Sequence, residues 1–298
     1  GCSITAQGAR ITSDGTNQYI QQTNAIVVGD TYEVEYEITE SVSGLLSIAD
    51  SFGSGYSLKN TVGIHKFYGI AANTTLRIKK SAACDITIDN IKIKRLTGDD
   101  TPRIDYTDGG CPVLLTEPQS TNLITQSNDF SDSYWTKVDL SVIEGFASPD
   151  GSSNAFKLVE DGTNYFHYCR RLNLAVASGS IVTLSMFAKK SENSYVALFE
   201  GSVGATVFFN LETKTVVSES GGGSGTIEQF SDDWCRVTLT VTVPSTIANF
   251  EIYNSNDGTS LTYQGVSGNG VYIYGAQLEE LSYSTSLIPT YGAVRTRL

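Results

Sequence analysis

Only two histidines, His65 and His167, stand among the 298 residues, which leaves little imidazole for general-base work or for metal ligation. No Gly-x-Ser-x-Gly elbow, phosphate loop, His-Glu-x-x-His helix or strand-to-helix Gly-x-Gly-x-x-Gly is present. Glu33, Glu35 and Glu37 are the most regular carboxylates, but alternate residues of one strand sit about 7 Å apart on a single open face. A glycosidase pair has to flank a sugar from two sides. Cross-strand pairing of these glutamates with Arg77, Lys79, Lys92 and Lys94, which also alternate, is the better account. The five cysteines, Cys2, Cys84, Cys111, Cys169 and Cys235, form no Cys-x-x-Cys pair, which disfavours a zinc knuckle or a dithiol redox centre. Cys169 and Cys235 lie in strand-like runs and read as buried thiols, with a bridge between them as the lesser alternative. The chain is therefore read as non-enzymatic.

Recognition chemistry is better represented. Sugars are held by aromatic rings against their apolar faces and by amides, carboxylates or hydroxyls on their hydroxyl groups. Tyr165, Tyr195, Tyr253 and Tyr263, with Asn164, Glu200, Asn254 and Gln264 beside them, form the candidate binding set. Phe166, Phe199 and Phe208 have no polar handle and are expected to pack, and Trp135 and Trp234 are expected to plug the ends of a sandwich. His167 shares a side with Tyr165 and Cys169 by alternation and reads as a sheet-surface or core residue. Asn128, Asp129, Gln277 and Glu279 would offer hard oxygens to a structural calcium if the first and last strands around them are neighbours; no other cofactor is required.

The elements that must position these residues are strands. Charged residues make up 17% of the chain and aromatics 10%, with 28 glycines, a mix that favours strands and turns over helices. Tyr32, Val34, Tyr36 and Ile38 alternate with the three glutamates, and short β-rich runs follow at 45–48, 76–79, 86–88 and 91–93. A second set runs from 155 to 277, its clearest strand alternating Val237, Leu239, Val241 and Val243 with Thr238, Thr240 and Thr242. The run Gly221-Gly222-Gly223-Ser224-Gly225 is expected to loop between two strands. No helical pattern supplies the crossovers of a parallel sheet. The expected fold is all-β: two tandem antiparallel β-sandwiches of jelly-roll type, at 1–97 and 136–298, joined by an ordered, Pro- and Gly-rich connector at 98–135. In that connector Ile104, Tyr106, Val113, Leu114 and Leu115 are apolar enough to pack against a sandwich. A formal charge of −12 without a Lys/Arg stripe argues against nucleic acid as a partner. No apolar run reaches the roughly 20 residues of a spanning helix, so membrane insertion is not expected.

Three segments carry a family resemblance. P-R-I-D-Y-T-D-G-G-C-P-V-L-L-T-E-P-Q-S-T-N-L-I at 102–124 and S-N-D-F-S-D-S-Y-W at 127–135 resemble a segment of bacteriophage virion and tail proteins, and G-A-Q-L-E-E-L-S-Y-S-T-S-L-I-P-T-Y-G-A at 275–293 resembles its closing motif. The resemblance implies a carbohydrate-binding-module-like sandwich on a virion appendage such as a tail fiber, outside the cell. It further implies host recognition through a surface or extracellular glycan, with other virion proteins or copies of the chain as partners. Two other roles are kept: a purely structural virion protein, and the accessory binding region of a polysaccharide-degrading enzyme.

Overall fold

The computed structural model describes residues 2–5, 8–13, 18–53, 56–80, 83–96, 103–105, 113–115 and 117–297. The chain divides into two compact units, Gly1–Gly98 and Asp99–Leu298. Both are antiparallel β-sandwiches.

The first unit contains β1 (Cys2–Thr5), β2 (Gly8–Ser13), β3 (Tyr19–Gln22), β4 (Thr31–Ser43), β5 (Leu46–Ser47), the single-turn α1 (Ala49–Phe52), β6 (Gly63–Ile70), β7 (Leu76–Lys80) and β8 (Cys84–Leu96). A five-stranded sheet, β1-β2-β8-β4-β6, faces a three-stranded one, β3-β7-β5. Val34, Tyr36 and Ile38 of β4 meet Ile86 and Ile88 of β8 and Leu46, Ile48 and Ile78 in one core. The wet face of β4 is zipped by charge, with Glu35 on Lys92 at 2.7 Å, Glu33 on Lys66 at 3.1 Å, and Asn90 donating to Glu37 at 2.6 Å. Arg77 and Lys79 depart from expectation. Their strand β7 lies in the smaller sheet, so they pair with Asp50 and not with the glutamates.

The second unit contains β9 (Arg103–Asp105), β10 (Val113–Leu115), β11 (Ser120–Asn122), β12 (Thr136–Val138), β13 (Leu140–Phe146), β14 (Ala155–Glu160), β15 (Asn164–Phe166), β16 (Tyr168–Ala175), β17 (Ser180–Lys190), β18 (Tyr195–Glu200), β19 (Ala205–Asn210), β20 (Thr215–Ser220), β21 (Ser224–Gln229), β22 (Cys235–Val243), β23 (Ile247–Ser255), β24 (Thr262–Gln264), β25 (Gly270–Glu279) and β26 (Arg295–Arg297). Two six-stranded sheets, β12-β16-β23-β18-β19-β20 and β13-β14-β25-β17-β22-β21, enclose a core that includes Leu184, Met186, Leu198, Val207, Val237, Leu239, Phe250, Ile252, Ile273 and Leu278. Cys169 and Cys235 are free and buried in opposite sheets, and burial pushes the Cys169 thiol up to about 12. The glycine run turns only at Gly221 and Gly222, both at positive φ, while Ser224 and Gly225 already belong to β21. A Cβ at Gly225 would come within 2.4 Å of Val207, so close approach of β21 to the core explains that glycine.

Residues 117–135, expected as connector, are part of the second unit. Asn122 is fully buried and holds four backbone groups: it donates to the carbonyls of Ala276 and Ile288 and accepts from the amides of Ile124 and Leu278. Ser127 and Thr290 exchange amide-to-hydroxyl bonds, and Phe130 stacks on Trp135 at 5.0 Å. The closing segment answers with Gln277, which accepts from the Ile288 amide, and with β26, which pairs with β11. Residues 117–135 and the closing segment are thus a clasp between the entry and exit of this sandwich. Of the apolar connector residues, Tyr106 lies outside the described residues; Ile104 falls in β9, and Val113–Leu115 form β10, its partner.

Candidate functional site

The two outer faces of the second sandwich are finished differently. On β17 and β25, polar residues point outward (Thr183, Ser185, Gln277, Glu279), yet all four are buried, under residues 281–290, Ser120 and, at Ser185, the Arg236 side chain. The Thr183 hydroxyl donates to the Leu281 carbonyl, and the Gln277 amide donates to the carbonyls of Thr285 and Ser286. Glu279 accepts from the Thr285 amide and hydroxyl and from Ser120.

The outer face of the other sheet carries aromatic rings. Directly paired residues of adjacent strands share a face, and pairing runs Val138, Tyr168, Tyr253, Ala197, Phe208, Ser218 in one row and Thr136, Arg170, Glu251, Phe199, Thr206, Ser220 in the next. Tyr168 and Tyr253 lie 4.9 Å apart, and Phe166 and Phe199 approach Tyr253 at 6.0 and 5.9 Å. Packing hides Tyr168, Tyr253 and Phe208, while Phe166 and Phe199 stay half-buried at the surface of the cluster. Tyr165, 53% exposed, stands edge-on to Phe166 at 4.8 Å.

Within the second row a cation lies outside an anion. The Glu251 side chain is 5% exposed, that of Arg170 30%, and they are 3.8 Å apart, beyond hydrogen-bond range. Glu251 accepts instead from the Tyr253 hydroxyl at 2.9 Å. Burial raises the Glu251 carboxyl above the usual carboxylate range, outweighing the Tyr253 hydrogen bond and the Arg170 charge. The Arg170 guanidinium lies 4.8 Å over the Tyr168 ring, and its buried Nε–H meets no acceptor among the described residues.

The β15–β24 ribbon, a separate two-stranded sheet, helps bring together a second polar group, which is sealed. Glu160, 3% exposed, accepts from Tyr263, from Asn193 at 2.8 Å and from the Val266 amide at 2.9 Å. His167 is wholly buried, its Nδ1 donating to the Asp139 carbonyl at 2.8 Å. Gly265 closes over that ring, since a Cβ there would come within 2.8 Å of it.

The predicted binding set is therefore divided. Tyr253 lies on the aromatic face but is buried, and Tyr195 lies on the same face against Gly258, whose Cβ would strike its ring. Tyr165, Asn164 and Gln264 are exposed on the ribbon, where Asn164 pairs with Gln264. Tyr263 is turned onto Glu160 and is not available as a surface ring. Glu200 and Asn254 are also scaffold. Glu200 is buried and accepts from the amides of Ser202, Val203 and Asn249, and Asn254 is buried on the core side, donating to the Leu158 carbonyl. The aromatic face also holds Arg170 and Glu251, which no sequence pattern singles out, and Phe166 and Phe199, which pack as expected but stay half-buried.

The four calcium candidates do not form a ligand set. Asn128 donates to the Tyr274 hydroxyl, Asp129 caps the turn at Ser131 and Asp132, and Gln277 and Glu279 are spent on the tail. No group of three or more His, Cys, Asp or Glu among the described residues could hold a metal ion.

No family model and no curated protein matches the chain. Among solved structures it is similar to the N-terminal CBM22-1–CBM22-2 tandem domain of Xyn10C from Paenibacillus barcinonensis, at 14% identity and a TM-score of 0.34, over 94% of this chain and 91% of that one. That likeness is too weak to carry a ligand or a site residue across.

Proposed function

We propose that the second unit recognises a glycan, without cleaving it, on the outer face of the sheet β12-β16-β23-β18-β19-β20. The observation that carries this reading is the pairing of an aromatic row with a row holding Arg170 and Glu251 on one outer sheet face, at whose surface Phe166, Phe199 and Arg170 stay half-buried. Half-exposed Phe166 and Phe199 and exposed Tyr165 supply apolar planes, and Arg170 supplies hydrogen-bond donors directed by its stack on Tyr168. The one carboxylate in the two rows, Glu251, has no second acid beside it in its row, and a hydrolytic pair is therefore not part of the reading.

A glycan array probed with the intact chain tests this. Binding to a defined set of sugars is expected, weakened about tenfold by Phe199→Ala, the loss of one stacked ring. Silence across the array, or binding untouched by both Phe199→Ala and Tyr165→Ala, would refute it. The setting we propose is a virion appendage, supported by the resemblance of 102–124, 127–135 and 275–293; particles purified and analysed by mass spectrometry should contain the chain.

A further inference from the structure

The aromatic face bears a single cation in its two rows, and that cation is poorly spent. This inference rests on the face being the glycan-binding surface. We propose that the glycan it takes carries a carboxylate, which Arg170 receives in place of Glu251.

Three observations lead there. Arg170 lies outermost of the pair, so an approaching anion meets the guanidinium before it meets Glu251. At 3.8 Å Arg170 acts on Glu251 mainly through its charge, while the Tyr253 hydroxyl supplies the short hydrogen bond that Glu251 accepts, so an incoming anion can draw the guanidinium away at the cost of Glu251's ionised form. The guanidinium plane is held over Tyr168 with its Nε–H buried, so the part-exposed side chain presents its terminal Nη1/Nη2 edge, whose one charged partner among the described residues is Glu251 at 3.8 Å, to a planar, bidentate acceptor. A sugar hydroxyl would use one of those donors; a carboxylate uses two.

The same geometry makes binding depend on pH. Glu251 is faced by Arg170 and Tyr168 from β16, by Tyr253 on its own strand, by Phe199 on β18, and through space by Glu200; its Oε1 lies against the backbone of Gly201. A second carboxylate brought to Arg170 removes the only opposite charge in that set and adds a like one. Glu251 then takes up a proton on binding, and affinity rises as pH falls toward the ordinary carboxylate range while the ligand's own acid stays ionised.

The test titrates the intact chain with uronic-acid oligosaccharides and their carboxyl-reduced counterparts at pH 5 and pH 7.5. The acidic forms should bind at least about tenfold more tightly, as for one charge-assisted bidentate contact. Arg170→Ala should abolish that preference, Arg170→Lys should reduce it with the fold kept, and Glu251→Gln should flatten the pH dependence. Equal or tighter binding of the reduced sugars, or a preference that survives both arginine variants, overturns the carboxylate while glycan recognition stands. No binding of either series, together with a silent array, overturns the glycan reading itself.

Discussion

Replacing Asn122 with alanine tests whether the clasp that joins entry and exit holds the second unit together. Asn122 is fully buried and makes four hydrogen bonds of 2.9–3.1 Å, all to backbone groups of three separate segments. Each buried hydrogen bond contributes about 1 kcal/mol net, and a backbone group stranded without a partner costs about 1–3 kcal/mol. The side chain itself is small, so the loss should be about 4 kcal/mol, dominated by the polar groups left behind rather than by a cavity. For a unit of this size that is a fall in Tm of about 8–16 °C. Both tryptophans, Trp135 and Trp234, lie in this unit, so tryptophan fluorescence during urea or thermal unfolding reports on it alone. Asn122→Asp keeps the two accepting bonds and forfeits the two donating ones, and it introduces a buried charge; it should be no milder than the alanine. A loss below about 1 kcal/mol in Asn122→Ala would mean that the network relaxes around the gap, and the clasp would not be what secures the closing segment.

Two further outcomes follow. Asp150 is driven up by burial but is pulled below the usual carboxylate range by the hydroxyls of Ser148, Ser152 and Tyr274 and the Ser152 amide, so its contribution exists above that range and disappears as pH falls through its folded value; Asp150→Asn should be less stable than the parent at pH 7 and converge with it near pH 2 in urea melts. Cys169 and Cys235 should resist iodoacetamide in the native protein and react on unfolding, because burial removes the thiolate as well as access; modification of either at native rates comparable to a free thiol would contradict their placement in the core.

The sandwiches were legible because period-two alternation survives wherever one strand face meets the core, as in Val237 to Val243 and in Tyr32 to Ile38. It failed on β17, where Thr183 and Ser185 are as buried as Leu184 and Met186, since the cover comes from residues about a hundred positions away in the sequence. The Arg77 and Lys79 pairing failed because alternation says which face a residue takes but not which sheet its strand joins. The site set went astray for a local reason. Glu200 and Asn254 each neighbour a ring at one residue's distance, and in a strand that step leads to the opposite face. Arg170 and Glu251 stand two residues from Tyr168 and Tyr253, which is the step that keeps them on the aromatic side.

The contrast between the two outer faces is what gives the aromatic one its meaning. Water would favour the reverse arrangement at the surface, with Gln277, Glu279, Thr183 and Ser185 left wet and the half-exposed rings of Phe166 and Phe199 covered by the tail. The chain instead spends its closing segment on hydrogen bonds to the polar face, where each donor and acceptor must be matched, and leaves half-buried rings beside a loosely held arginine. Two half-buried rings backed by a packed aromatic cluster, with a cation stacked beside them, have the composition of a recognition surface rather than of unfinished core. Its rings are already packed against one another, so little ordering entropy would be lost on binding, which suits a ligand that offers few apolar contacts of its own.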